Sequence, residues 1–484
     1  MQMRGTANSA ASITMEDMNE PNHTAVVADP WPAPLATAPL DATVTIPGSK
    51  SLSNRYLILA ALGADPVRIR GLLRSRDTDL MMNALRALGV TCREDADDPT
   101  TVTVTPPPNG VFTGCTEVYC GLAGTVMRFV PLLVLFADGP VRFDGDEQAY
   151  ARPMEPLLFG LKQLGAHVEY HGQEGCLPFT VTPPKKLGSA DGKPIKIRVD
   201  SSSSSQFVSG LLLAASRIPG GVLLRHTGRT LPSLPHIRMT MEDINAAGGD
   251  VTMPERGRWL VQPRDLDLPR TVTVEPDLSN AAPFLGAALI AGGAVRVPNW
   301  PAHTTQPGGL LPSMLHKFGA TITLDGEPFD EINDCEMFND DFSGTLCVTG
   351  DGSIHGLGEL DMSAAGELAP SVAAIATLAD GPSQLVGIGH LRGHETNRLQ
   401  ALVTEIERVG AHAEELDNGI AIEPVADDEL HGAVMETYAD HRMATFAAML
   451  GLRIPGIEVR DVQTTRKTIP DFTGMWAAML AQHR

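Results

Sequence analysis

Five times along the chain, an amphipathic helical pattern stops at a glycine and an extended apolar stretch begins. The glycines are Gly89, Gly165, Gly248, Gly319 and Gly410. Each can take the left-handed conformation that ends a helix and turns the chain into a strand. Their separation of roughly 70–90 residues is too long for a solenoid repeat and suits a repeated α/β subdomain. Alternating or β-branched runs at 101–105, 196–199 and 271–274 predict strands. Helices are predicted at 56–62, from Glu155, up to Ala215 and from about Leu278. About three such units fall in each half, and the cut between halves is expected at Glu275-Pro276-Asp277.

Composition changes this picture little. With 484 residues, 43% hydrophobic and 20% charged, the chain is long enough for two or more cores. Charge changes it more. A net charge of −21, from 37 basic and 58 acidic residues, repels polyphosphate, and no run of Lys and Arg offers nucleic acid a patch. Small anions remain possible ligands, because a few cations focused in a cleft reverse the local potential. Six scattered cysteines (Cys92, Cys115, Cys120, Cys176, Cys335, Cys347) form no C-x-x-C pair, which fits reduced thiols in a cytoplasmic protein. The longest apolar run, 129–137, is too short to cross a membrane. Residues 1–38 lack the basic and apolar segments of a signal peptide and are expected to be a flexible tail.

The candidate chemistry sits where helices are predicted to start. Pro47-Gly48-Ser49-Lys50-Ser51 opens one, with Arg55 one turn on, and such a Gly/Ser turn offers free N–H groups to an anion. It lacks the spacing of a P-loop. Gly121-Leu122-Ala123-Gly124 repeats the device, with Arg128 in the following helix and Arg152 before the next. Five serines, 201–205, precede Gln206 and an apolar helix, which favours a hydroxyl-lined anion site over a linker. Downstream, His394, Glu395 and Arg398 fall within one turn of each other, and Asp440-His441-Arg442 and Arg466-Lys467 follow. No G-x-S-x-G nucleophile and no H-E-x-x-H metal motif occurs. Together these segments describe a cleft between two domains that holds small polyanions.

Five segments in order resemble the EPSP synthase family, over about 40–476. They are Pro-Gly-Ser-Lys-Ser at 47–51, Leu-Ala-Gly-Thr-x-Met-Arg at 122–128, Ser-Ser-Gln-Phe at 204–207, Asp-His-Arg-Met at 440–443 and Lys-Thr-x-Pro-Asp at 467–471. The resemblance implies an α/β fold of two similar domains, each of three βαβαββ units, with the active site in the cleft between them. It puts 39–47 and 276–484 in one domain and 48–275 in the other. It implies transfer of the enolpyruvyl group of phosphoenolpyruvate to the 5-hydroxyl of shikimate 3-phosphate, a step of aromatic amino-acid biosynthesis and a glyphosate target. No metal or organic cofactor is expected, nor any nucleic-acid or membrane partner, and a monomer is expected.

Carried over residue by residue, Lys50, Ser51, Arg55, Ser204, Ser205, Gln206, Ser233, Glu367 and His394 would bind shikimate 3-phosphate. Lys50, Gly124, Arg152, Gln206, Arg398, Arg442 and Lys467 would bind phosphoenolpyruvate. Glu367, helped by Lys50, would take the proton of the attacking hydroxyl, and Glu395 would give one to the methylene carbon. Three positions depart from the commoner family pattern: Glu367 stands for Asp, His394 for Lys and His236 for Tyr. Two rivals share the subdomain. A sister enzyme acting on UDP-N-acetylglucosamine uses a loop cysteine, near where Cys115 and Cys120 lie. RNA 3′-phosphate cyclase would want a basic surface.

Overall fold

The computed structural model describes residues 27–189, 191–231, 233–329, 343–393 and 395–483. Among the described residues six small sheets carry the fold, and five share one strand order. In each, a parallel pair is followed by an antiparallel strand and then by another antiparallel to that one. Thr116–Tyr119, for example, lies parallel to Val141–Asp144, which pairs with Phe179–Thr182, which pairs with His167–Tyr170. Along Val141–Asp144 the apolar residues alternate with Arg142 and Asp144, so Val141 and Phe143 are buried together. Phe143 then packs on Phe179, with ring centroids 5.4 Å apart.

The five glycines close the helices as the pattern predicts. Their φ angles are 85°, 92°, 81°, 110° and 99° for Gly89, Gly165, Gly248, Gly319 and Gly410. Such angles favour glycine over any side chain. In each case the helix packs on its own sheet, and the strand that follows is at the sheet's edge except after Gly319, where Thr321–Leu324 is flanked by the short strand Glu327–Pro328. The sixth unit has no such helix–glycine–strand step. Its sheet pairs Val434–Met435 with Glu458–Val459 and borrows Trp31–Pro32 from the beginning of the chain.

That borrowed strand corrects the expected tail. Trp31 is buried against Phe472, with ring centroids 6.2 Å apart, and Ala33 donates its N–H to Ile457. The stretch from Trp31 to Ala36 is therefore tied to the fold, by strand pairing at Trp31–Pro32, by burial of Trp31 and by backbone bonds at Ala33 and Ala36. Residues 1–26 lie outside the described part. The strand Leu40–Thr43 leads towards the helix predicted at 56–62, which begins earlier, at Lys50. Ser49 caps it, its side chain accepting from the Leu52 N–H at 3.5 Å.

Two separate apolar cores result. One gathers residues between Leu52 and Val274. The other gathers residues between Trp31 and Ile46 with those between Leu278 and Met479. The chain therefore passes between cores twice, and the two passages lie side by side. Gly48 bridges Pro276, Ser49 donates to the Glu275 carbonyl at 2.8 Å, and Asp277 donates to the Pro47 carbonyl at 2.9 Å. Gly48 also touches Gly71: a β-carbon added there would stand 2.0 Å from the Gly71 carbonyl oxygen. Only glycine lets the strands come this close.

Gly48→Ala is therefore expected to lower unfolding stability by about 1–3 kcal/mol, the usual cost of overpacking. Chemical denaturation would read it. A variant as stable as the parent would mean that the crossover adjusts freely.

Candidate active site

Helix starts from both cores meet at one cavity of about 430 Å3. From the first core, its walls include the beginnings of Lys50–Leu62, Gly124–Phe129, Gln206–Ala215 and Leu234–Ala246. From the second come the beginnings of Leu278–Ala291, Arg398–Arg408 and His441–Gly451. Each helix start carries about half a positive charge and unpaired N–H groups. The cations on the same turns add to this. In a chain of net charge −21, positive potential is concentrated at one place.

One wall holds two guanidinium groups side by side. Arg128 is buried; its Nη1 donates to Gln206 Oε1 at 2.8 Å, while its Nε–H has no partner. Arg152 donates to the Leu122 carbonyl at 2.8 Å. Burial pulls Arg128 down to about 9, and the charge of Arg152 adds to the pull. Among the described residues no carboxylate forms an ion pair with either. Gly124 faces the same spot, where an added β-carbon would lie 3.0 Å from a nitrogen of each arginine and 3.2 Å from Gln206 Oε1. Two guanidinium groups beside a glycine have the chemistry to hold an anion.

Lys50 stands between the halves. Its Nζ reaches Asp77 at 3.5 Å, and its backbone N–H reaches Asp277 at 3.4 Å. Burial lowers the Lys50 pKa and Lys467 adds repulsion, against the attraction of Asp77. Asp277 also caps the helix Leu278–Ala291, so one carboxylate serves two helix starts. Ser203, Ser204 and Ser205 line the cavity nearby, with no capping bond from the Ser205 hydroxyl. Ser233 joins them from a left-handed position, φ 51°.

On the opposite wall, Glu367 accepts from Ser279 Oγ at 2.6 Å and meets His236 Nε2 of the other core at 3.4 Å. Burial holds His236 below the ordinary histidine value, despite the pull of Glu367. Arg398 grips Asp440 with two bonds, 2.6 and 3.2 Å. Glu395 pairs with Lys467 and with His441, the latter at 3.2 Å. Burial works to raise the Glu395 carboxyl, but His441, Lys467 and Arg398 outweigh it and hold it well below the usual range.

The EPSP synthase family model (3-phosphoshikimate 1-carboxyvinyltransferase) matches residues 35–476. The chain belongs to the EPSP synthase family. It is a transferase that moves the enolpyruvyl group of phosphoenolpyruvate to shikimate 3-phosphate. A 3-phosphoshikimate 1-carboxyvinyltransferase of Bifidobacterium longum is 65% identical over 453 residues, covering 93% of this chain and 98% of its own. One of Kocuria rhizophila is 47% identical over 464 residues, covering 93% and 97%. Among solved structures, an EPSP synthase of Acinetobacter baumannii matches with TM-score 0.74 at 23% identity, over 92% of this chain and 96% of that one. The enolpyruvyl transferase NikO of Streptomyces tendae matches with TM-score 0.67 at 18% identity, over the same shares. At such identities the two structures speak for the fold alone.

Most of the side chains that the EPSP synthase resemblance singled out line the cavity. Lys50, Ser51, Arg55, Ser204, Ser205, Gln206, Ser233 and Glu367 do so, as do Arg152, Glu395, Arg398 and Arg442. Gly124 lies against the two arginines of its wall, and Lys467 stands behind Glu395. Arg55 is less free than its position suggested. It is buried, and it bonds Thr240, Ser51 and His236 and faces Asp243 at 3.8 Å. His394 lies outside the described residues. Neither Cys115 nor Cys120 lines the cavity: the first is exposed and the second buried, its thiol pushed up by burial.

The carry-over missed Arg128, Asp277, Ser279 and His441, all of which line the cavity. Arg128 was within reach, since its i,i+4 relation to Gly124 puts both on one helical face. Asp277 carried a capping signal, an Asp before an apolar helix. Ser279 carried none. Arg128→Ala should weaken phosphoenolpyruvate, read as its KM, by about 10-fold or more, the worth of a charge-assisted hydrogen bond. An unchanged KM would show that the arginine pair is structural.

Proposed function

We propose that the enolpyruvyl transfer takes place in this cavity, by addition and then elimination. The observation that carries this reading is the pair Arg128, buried, and Arg152, half-buried, neither in an ion pair with a described carboxylate, a few ångströms from Gln206 and Gly124. Phosphoenolpyruvate supplies the missing negative charge, with Arg398, Arg442 and Lys467 completing its cradle. Shikimate 3-phosphate lies against Ser204, Ser205 and Ser233, held also by Ser51 and Arg55, with its 5-hydroxyl at Glu367.

In the addition, the 5-hydroxyl oxygen bonds to C2 of phosphoenolpyruvate as Glu367 takes its proton, and C3 receives a proton from Glu395. Lys50, its charge weakened by burial, assists at the hydroxyl. In the elimination, the bond from C2 to the phosphate oxygen breaks, C3 returns a proton to Glu395, and phosphate leaves carrying a proton that balances the one Glu367 took from the hydroxyl. The cations stabilise both the tetrahedral intermediate and the leaving group. Glu395 is held ionised while Lys467 and His441 face it. A phosphate dianion placed at Lys467 cancels that hold and lets the carboxyl carry its proton only in the loaded site.

The same reading takes the chain as a cytoplasmic monomer with no nucleic-acid or membrane partner. Among the described residues no helix is long and apolar enough to cross a membrane. It divides the chain into one domain of 48–275 and another of 39–47 with 276–484, to which 27–38 attach. The two separate cores support that division.

The decisive experiment is phosphate release by purified protein given phosphoenolpyruvate with either shikimate 3-phosphate or UDP-N-acetylglucosamine. Release with the first acceptor alone is expected; release with the second alone would replace the acceptor while keeping the fold. Glu367→Gln should lower kcat by about 100-fold or more, as for loss of a general base, with both KM values changed far less. A kcat near that of the parent would remove Glu367 from the proton transfer.

A further inference from the structure

The turn that delivers Asp440, His441 and Arg442 to the cavity has a strained backbone. Tyr438 and Ala439 both have positive φ, 54° and 55°. Residues with a β-carbon enter that region rarely, and two in succession persist only where the surroundings force them. No glycine eases the turn.

The turn is bonded to Glu405. This carboxylate is wholly buried, two turns into the helix Arg398–Arg408, and does not line the cavity. Its Oε1 accepts from the Tyr438 hydroxyl at 2.7 Å, and its Oε2 from the Glu436 backbone N–H at 3.1 Å. Arg408, on the same helix, covers both oxygens at 3.0 and 3.2 Å. Burial and the bond to Glu405 push the Tyr438 phenol up to about 12, so it stays a donor. The first residue of that helix, Arg398, grips Asp440. Asp440 in turn caps the helix His441–Gly451, accepting from the Arg442 N–H at 2.9 Å. A single rigid helix thus holds the turn at 436, 438 and 440.

We propose that Glu405 is a positioning residue for the phosphoenolpyruvate end of the site, fixing through the 436–440 turn where His441 and Arg442 stand. The proposal rests on the assignment of Arg398 and Arg442 to phosphoenolpyruvate made above. Glu405 touches neither substrate in it. A carboxylate buried only to stabilise the fold would satisfy Arg408 and need no bond to a strained turn.

Steady-state kinetics of the full chain test this with Tyr438→Phe, Glu405→Gln, and Glu405→Gln combined with Ala439→Gly. Tyr438 is 39% exposed, so losing its hydroxyl leaves the packing in place. Tyr438→Phe is expected to raise the KM for phosphoenolpyruvate about 3- to 10-fold, the worth of one hydrogen bond. The KM for shikimate 3-phosphate should stay within about 2-fold, since its ligands lie on other elements. Glu405→Gln should have the larger effect. Adding Ala439→Gly should recover part of it, because glycine takes the left-handed shape unaided. The proposal falls if Tyr438→Phe and Glu405→Gln leave the KM for phosphoenolpyruvate unchanged. It falls equally if both KM values rise together and glycine rescues neither. Arg442→Ala separates the two layers. If it alone raises the KM for phosphoenolpyruvate, only the role of Glu405 is lost; if it does not, the anion assignment and the positioning role fail together.

Discussion

Convergence of helix starts on one small cavity is the constraint on which the rest of the molecule depends. Like partial charges and buried cations repel, and burial adds a desolvation cost to each. The fold tolerates this only by local neutralisation. Asp77 and Asp277 serve Lys50, Asp243 serves Arg55, Asp440 serves Arg398, and Glu395 serves Lys467. Arg128 and Arg152 have no such described acid. On the proposed reading an anionic substrate is therefore an electrostatic component of the site, within a chain whose net charge of −21 disfavours polyphosphates.

The double crossover explains how two separate cores serve one cavity. Because 47–49 and 275–277 run side by side and exchange hydrogen bonds, the helices that follow them start at the same point. Lys50 opens one, Asp277 caps the other, and the two meet through a backbone N–H and a carboxylate. Across the cavity the His236–Glu367 contact joins the same halves again. Relative movement of the halves would change all these distances together, so substrate contacts from both sides are coupled through the crossover.

How far the sequence revealed this depends on the range of the signal. Helix–glycine–strand steps are local, and five of the six units announced themselves through Gly89, Gly165, Gly248, Gly319 and Gly410. The sixth was silent because its sheet takes a strand from Trp31–Pro32, hundreds of residues away, which is also why 27–38 read as tail. In the site, turns rich in Gly and Ser with a nearby cation were legible because anion binding at a helix start is local chemistry. The partner of a charge was not. Nothing in the sequence around Glu367 says that His236 faces it, and nothing around Arg55 says that Thr240 and Asp243 occupy its fork.

The same distinction governs Glu395. Its sequence setting, beside an arginine at a helix start, is compatible with a proton donor, yet the folded site keeps it ionised through His441 and Lys467, which come from two other segments. Burial alone would favour the protonated form; it also pushes the His441 imidazole down to about 4, so near neutral pH His441 is a hydrogen-bond partner and Lys467 the paired cation. With a phosphate bound at Lys467, as proposed, that pairing weakens, and burial then favours the protonated carboxyl. In the proposed mechanism the acid is thus created by the substrate it protonates: an empty site cannot waste the proton, and the strength of the Lys467 contact sets how completely loading switches the carboxyl. Of the acids that neutralise cations around the cavity, Glu395 is the one whose protonation the proposed reaction uses.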